Sequence, residues 1–126
     1  MKKSCKWLYA GVLLAIVLSN AIAAWAHSFP EQETPSAGQT VASPPSEVAI
    51  KFDAPIEKLF AKLDVTGADG ANQAAGAPQV SDDGRQLSVK VPALKPGDYT
   101  VKWAVVCIDT HHTQGSYTFT VANGGQ

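Results

Sequence analysis

The segment LKPGDYTVKWAVVCIDTHHTQGSYTFTV, residues 94–121, carries the pattern that decides the fold. Every second residue is apolar over 99–105, and the same alternation returns over 117–121. This period is typical of a β-strand that buries one face and exposes the other. Shorter alternations occur at 48–52 and 87–91, and no segment shows a sustained helical repeat. The sequence therefore predicts an all-β protein.

Turn-forming residues separate the alternating stretches. Clusters of Gly, Pro, Asn, Asp and Ser occur at 34–38, 43–45, 67–72, 81–85 and 95–98. About seven short strands in roughly 100 residues indicate a Greek-key β-barrel or a two-sheet β-sandwich. We expect the aromatic part of the core to consist of Phe52, Phe60, Tyr99, Trp103 and Phe119.

The first 26 residues differ from the rest and resemble an export signal. Three lysines precede an uninterrupted apolar run at 7–18, and the small-residue triplet Ala-Trp-Ala follows at 24–26. This order is typical of a signal peptide, and the run is shorter than the about 20 residues of a membrane span. We predict cleavage after Ala26, one β domain over 27–126, and export to the periplasm.

Charge and cysteine content exclude several classes of function for the exported domain. Removing three of the 10 basic residues and none of the 11 acidic ones gives seven minus eleven, a net charge of −4. A nucleic-acid partner normally requires clustered Lys and Arg, and no basic amphipathic segment suits a membrane surface. Cys107 is the single cysteine left after cleavage, so an internal disulfide is excluded.

Three histidines are the residues best suited to bind a metal. Cleavage after Ala26 places His27 at the new N-terminus, and His111 and His112 follow the long alternating stretch. An N-terminal histidine can chelate through its amine and its ring, and one further imidazole completes a three-nitrogen plane suited to Cu(II). Asp109 lies two residues before His111, where both side chains point the same way on an extended strand. A histidine pair in a loop is more often exposed than bound to a metal, so a loop that binds nothing is also compatible with these positions.

The order of these motifs resembles the CopC family of periplasmic copper resistance proteins. The similar stretches are 27–52, KLDVTGADG at 62–70, and 94–121, and together they cover most of the domain. In that family, a G-x-Y-x-V-x-W strand leads to D-x-H-x-x-x-G, which here is Asp109, His111 and Gly115. The resemblance implies a Greek-key fold related to cupredoxins and immunoglobulin-like sandwiches.

The resemblance also implies a metal site and a role. His27 would supply its amine and imidazole to Cu(II), His111 the third nitrogen, and Asp109 would be an axial ligand or an anchor for the imidazole. The expected function is sequestration or delivery of Cu(II) by a monomer that catalyses no reaction. An inner-membrane copper transporter is the expected partner. A methionine-rich Cu(I) site is excluded, because Met1 is the only methionine.

Three other functions remain open from the residues alone. A histidine brace also binds copper in polysaccharide monooxygenases, although those enzymes are usually larger. A blue-copper electron carrier would use Cys107 and His111, but such sites need two histidines and usually a weak axial methionine. An adhesion module without metal would explain the fold and leave the histidines unexplained. Cys107 continues the alternation of 99–105 on its inward-facing side and is expected to be buried, whereas His112 is expected to be exposed.

Overall fold

The computed structural model describes residues 28–123 and shows two packed β-sheets. Eight strands follow in chain order: β1 (Pro30–Thr34), β2 (Thr40–Val41), β3 (Glu47–Phe52), β4 (Lys62–Thr66), β5 (Gln79–Val80), β6 (Gln86–Lys90), β7 (Gly97–Val106) and β8 (His112–Val121). A short 3-10 helix, Lys58–Phe60, precedes β4. No helix within residues 28–123 has the length and hydropathy needed to cross a membrane.

The two sheets have four strands each and confirm the predicted β-sandwich. One sheet has the order β1-β3-β6-β5, and the other has the order β2-β8-β7-β4. Seven of these eight strands pair antiparallel with a neighbour, whereas β2 runs parallel to β8. The long β7–β8 hairpin, which contains the segment that opened the sequence argument, pairs Gly97 with Val121 and continues to Val106 with His112.

The core lies between the sheets and follows the predicted alternation. Along β7, Tyr99, Val101, Trp103 and Val105 are buried. Tyr99 stacks on its cross-strand neighbour Phe119 with ring centroids 5.5 Å apart. Trp103 meets Phe52 of the opposite sheet edge-on at 5.3 Å, an arrangement that aromatic rings favour. The contact between Trp103 and Phe52 joins the two sheets, whereas Tyr99 and Phe119 pack within one sheet.

The prediction that Phe60 belongs to the core is wrong. Phe60 ends the 3-10 helix, and its side chain is 59% exposed. A single helical turn breaks the alternation on which the prediction depended, so parity counted along a strand does not apply to this residue. Its neighbour Leu59 is also exposed.

The close contact between β7 and β8 depends on Gly115. Gly115 lies opposite Trp103 in the hairpin register. A Cβ placed on Gly115 would come within 2.7 Å of Trp103 Cζ2 and 2.9 Å of Cε2. The indole therefore occupies the space that any other residue at this position would need.

One end of the sandwich carries the candidate metal-binding residues Asp109 and His111. The β7–β8 connection lies there, and Ile56, in the β3–β4 connection, forms a bridge with Cys107. The next residue, Glu57, donates its N–H to the carbonyl of Val106 at 2.8 Å. The β3–β4 connection thus supports the base of the hairpin loop.

Candidate metal centre

The loop between β7 and β8 is a tight turn that runs from Cys107 to His111. Thr110 N–H donates to Cys107 O at 2.9 Å, and Cys107 N–H donates to His111 O at 2.8 Å. Thr110 has a φ of 76°, the only positive φ of a non-glycine residue within 28–123. A turn followed by one left-handed residue is a common way to close a three-residue hairpin loop.

A β-branched residue is an unusual choice for the left-handed position. Glycine adopts this conformation without steric cost, whereas Thr110 brings its Cβ close to backbone atoms. Such strain persists where the surrounding structure imposes it, and it is concentrated at functional sites. Thr110 separates the two candidate metal-binding residues of the loop, so its backbone sets their relative position.

Asp109 and His111 lie in contact. His111 Nδ1 is 3.1 Å from Asp109 Oδ2, and the backbone N–H of His111 donates to Asp109 Oδ1 at 3.3 Å. The sequence predicted proximity because alternate residues share a face of an extended strand. The two residues are close for a different reason, namely that the tight turn folds the carboxylate over the amide and ring of His111.

This contact determines how the imidazole can be used. With the proton on Nδ1, the ring donates to Asp109, and Nε2 is the nitrogen with a lone pair for a metal. A carboxylate on the opposite ring nitrogen fixes the tautomer and orientation of many metal-binding histidines. In this conformation, Asp109 is an orienting group for His111.

The pair alone does not make a complete metal site. The side chains of His111 and Asp109 are 54% and 40% exposed, so a solvated contact of this kind adds little stability. Among the residues that the structure describes, no group of three or more His, Cys, Asp or Glu is arranged to hold a metal. His27, the predicted third member, lies outside the described residues.

The residue that follows His27 is firmly held against this loop. Ser28 is completely buried. Its N–H donates to Cys107 Sγ at 2.9 Å, its carbonyl accepts from Thr113 Oγ1 at 3.0 Å, and its hydroxyl donates to Pro55 O at 3.3 Å. Sequence reasoning missed this anchor, because its partners lie far away in the chain and nothing in their local pattern marks them.

Phe29 continues the anchor through its backbone. Its N–H donates to Asp53 Oδ1 at 2.7 Å, and Asp53 N–H donates to Phe29 O at 2.9 Å. Asp53 therefore caps the start of β1. The main chain of Phe29 is thus fixed at the start of β1, while about half of the residue is exposed.

The two adjacent histidines have different surroundings. His112 is the first residue of β8, pairs with Val106, and lines a groove beside Leu59 and Phe60. His111 belongs to the turn and contacts Asp109. Their different positions make His112 a suitable control for His111.

Sequence comparisons place the whole described domain in one family. The family model described as the CopC domain matches residues 30–122. Protein YobA of Escherichia coli strain K12 is 35% identical over 112 residues, which cover 86% of this chain and 90% of that protein. Copper resistance protein C of Escherichia coli is 31% identical over 114 residues, covering 84% and 90% respectively.

A solved structure agrees with this assignment. The crystal structure of CopC from Methylosinus trichosporium OB3b superposes with a TM-score of 0.73 at 29% identity, covering 79% of this chain and 99% of that one. The superposition takes in nearly all of the second protein. This chain belongs to the CopC family.

Proposed function

We propose that this protein binds one Cu(II) ion in the cell envelope, through His27, His111 and Asp109, and sequesters or delivers it without catalysing a reaction. The observation that carries the proposal is the contact between Asp109 and His111 at 3.1 Å on a strained turn. Family membership supports copper as the metal, since a relative is named copper resistance protein C.

The role of each residue follows from its chemistry. His111 binds copper through Nε2, because Asp109 holds Nδ1. The carboxylate also balances part of the metal's positive charge. His27 contributes its amine and imidazole once cleavage after Ala26 has freed the amine. Nitrogen donors of this kind favour Cu(II) over the other divalent first-row metals.

Delivery to an inner-membrane copper transporter is the partner role that we propose. The Asp109–His111 pair is exposed at one end of the sandwich, so a recipient can approach it without unfolding the core. A copper ion bound at such an end can pass to another protein by exchange of ligands.

The surroundings of Cys107 disfavour a blue-copper electron carrier. Cys107 is 3% exposed, and its sulfur accepts the Ser28 N–H. A thiolate ligand would have to give up that hydrogen bond and find two imidazoles. The described residues His111 and His112 lie in different surroundings, the turn and the groove.

The test compares the two neighbouring histidines. His111→Ala is expected to weaken Cu(II) binding by more than about tenfold, because it removes a nitrogen ligand. His112→Ala is the matched control and should stay within about threefold of the unchanged protein, well below that effect. Competition with a chelator of known affinity gives both values. Reversed effects would show that the site lies on the groove side of the hairpin.

A variant extended at the N-terminus tests the role of His27, and the paramagnetic resonance spectrum of the Cu(II) protein tests which atoms bind the metal. One residue added before His27 converts its amine to a peptide nitrogen and should weaken binding by at least about tenfold. Paramagnetic resonance of the Cu(II) protein should show nitrogen hyperfine structure. Intense red absorption would instead assign the copper to Cys107, and equal affinity of the extended form would exclude the N-terminal chelate.

A further inference from the structure

We propose that the Cys107 thiol and the Thr113 hydroxyl are positioning groups, which hold Ser28 and thereby present His27 to the Asp109–His111 loop. This inference rests on the proposed function, because it concerns how the same copper site is assembled. It assigns a structural task to the one cysteine of residues 27–126, for which the sequence indicated only burial.

The first step is the burial of Ser28. Ser28 is polar and has no exposed surface. Its N–H, carbonyl and hydroxyl each have a partner, at 2.9, 3.0 and 3.3 Å. A buried polar group without a partner is destabilising, because it has given up its hydrogen bonds to water. The position of Ser28 therefore depends on these partners.

The second step is where the partners come from. Cys107 directly follows β7, and Thr113 is the second residue of β8. They flank the turn that carries Asp109 and His111. The same hairpin thus carries Asp109 and His111 in its loop and forms hydrogen bonds with Ser28 at its base.

The third step is the covalent link to His27. Ser28 is joined to His27 by a peptide bond, so fixing Ser28 limits the volume that His27 can search. A ligand held in advance binds more tightly than one that must be ordered on binding. Groups that orient metal ligands typically contribute 10–100-fold to affinity.

The chemistry of the side chains decides which substitutions test the idea. The task at Cys107 is to accept a hydrogen bond from an N–H in a buried space, and the task at Thr113 is to donate one to a carbonyl. Serine can perform either task. Alanine at 107 and valine at 113 cannot, and valine keeps the volume of threonine.

The experiment uses protein exported by an expression host, with its N-terminus verified by intact mass. Cys107→Ala and Thr113→Val should each lose about 10-fold or more in Cu(II) affinity, and Cys107→Ser and Thr113→Ser should recover most of it. Measurements are made where chemical unfolding shows each variant to be fully folded. A role in stability alone would leave the affinity of the folded protein unchanged.

A second measurement needs no copper. Hydrogen exchange at the Ser28 amide, followed by NMR, should speed up by at least about tenfold in Cys107→Ala relative to Cys107→Ser, since the opened amide meets water. Exchange in the centre of β7 serves as the internal reference. Unchanged Ser28 exchange would overturn the positioning role.

The two proposals fail in different ways. If the unchanged protein binds Cu(II) tightly and both Cys107→Ala and Thr113→Val bind it equally well with the same resonance spectrum, the positioning role is wrong and the copper function stands. If the unchanged protein binds no Cu(II), the copper function is wrong, and the positioning of a copper ligand falls with it.

Discussion

Replacing Gly115 by alanine should destabilise the fold through one identifiable collision. The new Cβ would meet Trp103 Cζ2 at 2.7 Å, Cε2 at 2.9 Å and Nε1 at 3.1 Å. The φ of Gly115 lies outside the left-handed region, so alanine brings no backbone strain of its own. The indole cannot simply retreat, because Phe52 of the other sheet packs against it at 5.3 Å.

The expected cost is that of overpacking a dense core. Adding a methyl group where it does not fit costs about 1–3 kcal/mol. For a domain of this size, 1 kcal/mol corresponds to a shift in melting temperature of about 4–8 °C. Gly115→Ala should therefore melt at least about 4 °C below the unchanged protein. Calorimetry measures the melting temperature, and chemical unfolding followed by Trp103 fluorescence measures the free energy of unfolding.

Two further variants separate this collision from other causes. Ser116→Ala changes the next, outward-facing residue and should alter stability by less than about 0.5 kcal/mol. Trp103→Phe should make room for the methyl group, so Gly115→Ala combined with it should cost less than the sum of the two single changes, by about 1 kcal/mol. Additive effects, or an unchanged melting temperature for Gly115→Ala, would refute the reasoning.

Two other changes concern the strained turn and a buried hydroxyl. Thr110→Gly should stabilise the fold by about 0.5–1 kcal/mol, because relief of left-handed strain exceeds the entropy that glycine adds to the unfolded chain. A lower free energy of unfolding, measured by chemical unfolding, would contradict this. Tyr117 Oη is buried with no hydrogen-bond partner among the described residues, so Tyr117→Phe should leave stability equal or raise it by up to about 1 kcal/mol. Burial, with Glu33 nearby, raises the pKa of Tyr117. The unfolded chain therefore loses the Tyr117 proton at a lower pH than the folded protein, above about pH 10, so the free energy of unfolding of the unchanged protein should fall there. It should fall less steeply in Tyr117→Phe. Equal slopes of unfolding free energy against pH in the two proteins would contradict this.

The long strands were predictable because each repeats its pattern several times. β7 and β8 show the period of two over many residues, and their core residues are the predicted ones. β2 and β5 have two residues each, too few to show any period, and β1 is a mostly polar strand at the edge of its sheet. The structure has eight strands, where the sequence predicted about seven.

The site was predictable only in its local part. Asp109 and His111 are close in sequence, so their spacing alone indicated proximity, although the turn between them was not foreseen. The contacts of Ser28 with Cys107 and Thr113 depend on how the two sheets come together. No pattern within either segment encodes that arrangement, and parity along β7 indicated only that Cys107 points inward.

The hydrogen bonds of Ser28 also bear on the order in which the protein folds. They join residues 79 and 85 positions apart, so each closes a loop of most of the domain. Contacts that close long loops form late, because the entropy of closure must be met by structure already in place. The β7–β8 hairpin is a local structure near the end of the chain, and it must exist before Ser28 can dock on it. We therefore expect the start of the domain to dock last, so that in a half-folded chain His27 and the Asp109–His111 loop remain apart.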